Sequence, residues 1–171
     1  MVELKEQNFI DNKKLYNKVE SILKDCLGEN SIINHVGSTA IPDMCGKNII
    51  DVLVGSLNNE MFCLFREKIQ NLGFFASQNS RTDIYQFFAS RQGETGEGDV
   101  HIHLGIIGTE RYEEFLILRD YLLSNRDEVE SYIKCKKQLI ELGITDRKAY
   151  RATKSEYVTQ LIARAKENLK K

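Results

Sequence analysis

Apolar positions along this chain recur in two rhythms. In residues 8–27, Leu15, Val19, Ile22, Leu23 and Cys26 fall at helical spacing, and Gly28 and Asn30 stop the run. The same period returns after Asn58-Asn59, where Met61, Phe62, Phe65, Ile69 and Leu72 form one face and Gly73 ends it. Between and after these helices the apolar runs are short: residues 31–36, 48–54, 74–76, 83–90 and 99–107 read as strands. Residues 92–98, rich in glycine, read as the hairpin loop joining the last two. From Glu110 the helical period takes over. Residues 110–125 and 127–142 form two helices, and Thr145 or Asp146 caps a third that runs to about Leu169. These elements predict an α+β protein with a mixed, largely antiparallel sheet of about five strands flanked by helices. No linker or repeat divides it, so residues 1–171 read as a single domain, with a sheet core over about 31–107 and a helical C-terminal part over about 110–169.

Charge narrows the function classes. With 24 basic and 25 acidic residues the formal net charge is -1, which offers no field for non-specific nucleic-acid binding. No apolar run approaches the length of a membrane span, and the N-terminus is polar rather than a secretion signal, so the cytoplasm is the expected location. The 4 cysteines show no CxxC spacing. Cys26, Cys63 and Cys135 sit in helical patterns as core or partly buried thiols, and Cys45, in a loop, is the one candidate for a reactive thiol.

Candidate chemistry concentrates in residues 35–54. Gly37-Ser38-Thr39 is the kind of small, hydroxyl-bearing turn that lets backbone approach a phosphate. Pro42, the only proline, follows, then Lys47, then Asp51 inside an otherwise apolar strand. An acid in that setting is costly unless it is paired or binds a metal. Lys47 or an arginine is one possible partner. Farther on, Asp99, His101 and His103 share one face of a strand whose other face is Val100, Ile102 and Leu104. That row is either a set of ligand-capable side chains or a plain solvated strand face. His35, beside the turn, reads as a hydrogen-bonding strut more readily than as a catalyst. Arg119-Asp120 reads as a local ion pair, and Tyr121, Tyr132 and Tyr150 as core residues with a polar tip.

Taken together, Gly37-Ser38-Thr39-Ala40-Ile41-Pro42, Lys47, Ile50-Asp51, Val54, Arg81, Phe87-Phe88 and His101-Ile102-His103-Leu104 resemble the GrpB family. Arg119-Asp120-Tyr121-Leu122, Tyr132, Lys136, Tyr150, Lys154 and Tyr157 continue the resemblance, in family order, over most of the chain. The family is placed in the polymerase-beta-like nucleotidyltransferase superfamily, which implies a nucleotidyltransferase-like fold. In that superfamily a Gly-Ser loop holds a triphosphate through its backbone amides, and two carboxylates two residues apart on the next strand hold Mg²⁺. The resemblance places Asp51 at the first carboxylate position and His101 and His103 within the family motif, and the strand row offers the two imidazoles as replacement ligands, so Asp51, His101 and His103 are the expected catalytic and metal-binding residues. The resemblance assigns Gly37, Ser38, Thr39, Lys47, Arg81, Arg119 and Lys154 to phosphate or nucleotide binding. The chain departs from the pattern at Leu53, where the second carboxylate would stand, and at Leu123, where the family often has an arginine.

Two readings follow from the resemblance. One is a metal-assisted transfer of a nucleotidyl group from an NTP to a small acceptor. The other is a non-catalytic nucleotide- or anion-binding module with a degenerate site; similar domains occur fused to dephospho-coenzyme A kinase, a possible link to coenzyme A metabolism. Leu53 favours the second, and the row of ligand-capable side chains the first. Both imply a nucleotide or another phosphate-bearing small molecule as partner. The expected metal is Mg²⁺ arriving with nucleotide, or Zn²⁺ or Mn²⁺ held by Asp51 with the two imidazoles.

Overall fold

The computed structural model describes residues 2–90 and 99–170; the hairpin loop expected at 92–98 lies outside them. In chain order the elements are β1 (Lys5–Glu6), α1 (Phe9–Leu27), β2 (Ile32–Val36), β3 (Cys45–Gly46), β4 (Ile50–Ser56), α2 (Asn59–Asn71), β5 (Phe75–Ala76), β6 (Tyr85–Ala89), β7 (Val100–Ile106), α3 (Glu110–Ser124), α4 (Arg126–Glu141) and α5 (Arg147–Asn168). Single 3-10 turns cover Ser38–Ala40 and Gln78–Ser80.

Three of the five helices start at a side chain that caps them. The Asn8 side chain caps the amides of Ile10 and Asp11, Asn58 caps Met61, and Asp146 caps Ala149. The five expected strands form one sheet in the order β2-β4-β7-β6-β5. β4 and β7 run parallel, and the other three pairings are antiparallel. The sheet is therefore mixed and largely antiparallel, as the pattern predicts.

Alternation along the strands gives the sheet two unlike faces. Ile50, Val52, Val54, Val100, Ile102, Leu104 and Phe88 point to one side and are buried under Leu23 of α1 and Phe62, Phe65 and Ile69 of α2. Asp51, His101, His103 and Phe87 point to the other. There α3 covers one end, with Tyr112 against Val36 and Leu53. Helices α3, α4 and α5 join through Leu122, Val129, Tyr132 and Leu161, and Ile41 and Met44 from the loop after β2 enter the same cluster. No described helix is long and apolar enough to cross a membrane.

The N-terminal segment does more than its polar composition suggests. β1 pairs antiparallel with β3, Lys5 opposite Gly46 and Glu6 opposite Cys45. Val2 is buried with Leu139 and Tyr150, and its amide donates to the Thr145 carbonyl at 2.9 Å. The segment thus straps the loop before β4 to α4 and α5. Two expectations for cysteine are corrected. Cys63 is exposed on the outer side of α2, and Cys45 is buried in β3 rather than sitting in an open loop. The second follows from the pairing of β1 with β3, which is non-local in sequence.

The apolar face sets the stability. Ile102 is fully buried in the central strand between two neighbours. Ile102→Ala is expected to lower the unfolding free energy by about 2–5 kcal/mol, read as a shifted urea midpoint with an unchanged slope.

Candidate functional site

The parallel register of β4 and β7 sets Asp51 opposite His101 and Leu53 opposite His103. Nδ1 of His101 and Nε2 of His103 both reach Oδ1 of Asp51 at 3.3 Å. Burial alone would raise the Asp51 carboxyl, but the hydrogen bonds from the two imidazoles outweigh it and hold the group well below the usual carboxylate range. An ionised carboxylate only accepts, so Nε2 of His103 carries the proton and Nδ1 is left to accept. It does so from the Tyr85 hydroxyl, at 2.7 Å. Burial also pushes His103 below its ordinary value, against the pull of Asp51, which keeps that ring neutral. Phe115 and Phe87 pack on it with ring centroids 4.5 and 5.4 Å away.

The turn after β2 closes directly over this carboxylate. Gly37 has a φ of 74°, and a side chain there would collide with Oδ2 of Asp51. Ser38 lines the cleft beside it. Thr39 does not: it is buried, its hydroxyl donates to the Ile49 carbonyl at 3.3 Å and accepts from Nε2 of His35 at 3.0 Å. His35 stacks on Tyr16 with centroids 4.5 Å apart, and burial lowers its pKa to about 4. Thr39 and His35 thus brace the turn. The expected phosphate contact is open to Gly37 and Ser38 and not to the Thr39 hydroxyl.

Over the polar face of the sheet lies a cleft of about 1460 Å³ whose opposite wall is cationic. Lys47, Lys136, Arg151 and Lys154 line it. Lys136 is buried, donates to the Cys45 carbonyl at 2.8 Å and stands 4.3 Å from the Tyr132 ring centroid. Burial brings its pKa down to about 7, and neighbouring Lys154 adds to the effect. Burial likewise lowers Lys154; Asp51 opposes the shift and Arg151 reinforces it. Lys47 sits 6.0 Å from the Tyr150 ring. Arg119 reaches the cleft while tying α3 to β2, through Asn34 Oδ1 at 3.3 Å and the His35 carbonyl at 3.4 Å, and it pairs with Asp120 at 2.7 Å. The rim carboxylates Glu110 and Glu114 are held by Lys166 at 2.9 and 3.0 Å.

Two expected members stand apart. Arg81 follows the second 3-10 turn, is exposed and does not line the cleft. Asp99 accepts from Ser90 Oγ at 2.9 Å, outside the cleft at the entry to β7. Lys136, Arg151, Tyr85 and Arg111 were not among the expected site residues, yet all line the cleft. For Lys136 the signal was available: it occupies an apolar stripe with Val129, Tyr132 and Leu139, where a lysine is out of place. For Tyr85 the alternation with buried Gln86 was visible, but its hydroxyl partner was not.

The metal expectation meets a definite obstacle. Among the described residues no three His, Cys, Asp or Glu side chains are grouped to hold an ion. The imidazoles point their nitrogens at Asp51, and the second nitrogen of His103 is taken by Tyr85. As arranged, Asp51, His101 and His103 do not fit a three-ligand Zn²⁺ or Mn²⁺ centre.

A mixed sheet with a Gly-Ser turn over a strand-borne aspartate defines a nucleotidyltransferase-like fold. The chain superposes on the MgGTP-bound Cid1 poly(U) polymerase with a TM-score of 0.55 at 14% identity, covering 80% of this chain and 44% of that one. The chain belongs to the GrpB family, described as "GrpB protein", which its residues 2–164 match. Glutamate-rich protein GrpB of Alkalihalophilus pseudofirmus is 29% identical over 153 residues, 88% of each chain. The crystal structure of the conserved protein GrpB from Enterococcus faecalis superposes with a TM-score of 0.82 at 22% identity, covering 99% of this chain and 100% of that one.

The brace under the turn has a pH signature. His35 titrates near its ordinary 6.5 when unfolded and at about 4 when folded, so the unfolded chain takes up the proton first. Its contribution is intact above pH 6.5 and is lost as pH falls toward about 4. Urea unfolding at stepped pH should show this slope, and His35→Gln should flatten it.

Proposed function

We propose that the cleft binds a nucleotide, or a closely related phosphate-bearing small molecule, with its phosphates on the lysine wall. The observation that carries this reading is the pair Lys136 and Lys154. Both side-chain amines are desolvated, with depressed pKa values, and Lys136 is held by the Cys45 carbonyl rather than by a carboxylate. Holding both in the charged form costs stability unless an anion arrives to neutralise them. Gly37 and Ser38 bring backbone within reach of the same space, and Arg151 and Lys47 add charge at its edge. The nucleotidyltransferase-like fold supports a nucleotide as the anion. Mg²⁺ bound to a nucleotide would meet one protein carboxylate on the cleft floor, Asp51, and would supply charge neutralisation of the phosphates.

Transfer of a nucleotidyl group to a small acceptor is a second reading, favoured by one specific feature. The Tyr85 hydroxyl, His103 and Asp51 stand in series, which is the arrangement of groups that move protons. Leu53 weighs the other way. It is fully buried against Val36 and Tyr112, so the position of a second carboxylate has become core.

Isothermal titration with ATP and with inorganic triphosphate tests the binding. Both should bind, and more weakly as salt rises. Lys154→Ala should weaken ATP by roughly 10-fold to 100-fold, the value of a charge-assisted hydrogen bond. Equal affinity in the native protein and the variant would remove the lysine wall from the site.

A further inference from the structure

Tyr85 lies at the start of β6, on the cleft face, in a setting that stacking alone does not require. Its hydroxyl is 2.7 Å from Nδ1 of His103, and Nε2 of the same ring is 3.3 Å from Asp51 Oδ1. Because Asp51 fixes the proton on Nε2, Nδ1 is the basic nitrogen and faces the phenol. Hydroxyl, imidazole and carboxylate therefore stand in the order in which a base activates a nucleophile and an acid group orients the base. The ring of His103 is held between Phe115 and Phe87. A cation completes the group: the Arg111 guanidinium lies 5.2 Å from the Tyr85 ring centroid and 5.0 Å from that of Phe115, on the same cleft. Lys136, another nucleophile in the cleft, donates instead to the Cys45 carbonyl.

We propose that Tyr85 is a catalytic nucleophile that takes a nucleotidyl group onto its own hydroxyl, forming a tyrosyl–nucleotide phosphodiester. The proposal rests on the reading of the cleft as a nucleoside triphosphate site. In the step, Oη of Tyr85 attacks the α-phosphorus. The Oη–Pα bond forms and the bond from Pα to the oxygen bridging the β-phosphorus breaks. Pyrophosphate leaves with that electron pair, and the phenolic proton passes to Nδ1 of His103. The imidazolium so formed is stabilised by Asp51, and Arg111 faces the charge developing on the phosphoryl oxygens.

The test incubates the full chain with Mg²⁺ and ATP labelled at either the α- or the γ-phosphate, repeats it with GTP, CTP and UTP, and measures binding of each by calorimetry in parallel. Label from the α-position should survive denaturation, label from the γ-position should not, and peptide mapping should place the adduct on Tyr85. Tyr85→Phe should abolish labelling, and His103→Gln should slow it by roughly 100-fold, the typical contribution of a general base. Binding of a nucleotide without any α-label overturns the nucleophile and leaves the binding site standing. An adduct mapped to Lys136 or any other residue overturns it as well. Failure of all four nucleotides to bind overturns the reading of the cleft, and the nucleophile with it. Mapping on the native chain decides the matter even if a variant is unstable.

Discussion

A carboxylate set into the middle of a sheet persists only where donors hold it, and Asp51 has two. Its burial would favour the neutral acid, yet two imidazoles from the neighbouring strand keep it ionised. That outcome depends on one backbone choice, the parallel pairing of β4 and β7 with Asp51 opposite His101. A shift by one residue would turn Asp51 into the apolar layer under α1 and α2 and bring Val52 to the cleft. The same carboxylate dictates its surroundings. Gly37 is glycine because any side chain would strike Oδ2, and the turn it starts is braced from behind by Thr39 and His35.

The opposite wall shows how little net charge says about a site. The chain carries a formal charge of -1, yet four basic side chains, Lys47, Lys136, Arg151 and Lys154, border one side of the cleft. The glutamates nearest the rim, Glu110 and Glu114, are engaged by Lys166. Positive charge is thus focused inside, where the local dielectric makes it effective, while the outside stays balanced. Lys136 is pinned to the Cys45 carbonyl, and Cys45 belongs to the short strand that β1 clamps, so the N-terminal segment helps fix the cation's position.

Leu53 marks where this chain parts from a two-carboxylate metal clamp. Its side chain shares the cleft face of β4 with Asp51, but Tyr112 of α3 and Val36 cover it. An ionised carboxylate there would be stranded in apolar surroundings. What remains at the cleft floor is one acid, two imidazoles and a phenol joined by hydrogen bonds, a set whose natural chemistry is proton movement. The fold is shared with the Cid1 poly(U) polymerase, and in this chain histidine and tyrosine stand beside the aspartate on the cleft floor.

Most of the fold was legible in the sequence, because periodicity reports which face of each element must be buried. The five strands of the sheet and all five helices follow from it, with caps at Asn8, Asn58 and Asp146. The resemblance likewise pointed to Asp51, His101 and His103, and the sheet brings both imidazoles within hydrogen-bond distance of the carboxylate. What the sequence could not supply were relations between segments far apart in the chain. β1 and β3 are two residues each, too short to show a period, and they exist only because they pair with each other. Arg81 and Asp99 match the pattern of site residues but end outside the cleft, because each sits just beyond a regular element, Arg81 after a 3-10 turn and Asp99 before β7. Tyr85 and Lys136 entered the site through a hydroxyl that meets an imidazole across a strand pair and a lysine tucked under a loop. Sequence determined the surfaces each element had to bury; only tertiary packing decided which polar groups met where those surfaces ended.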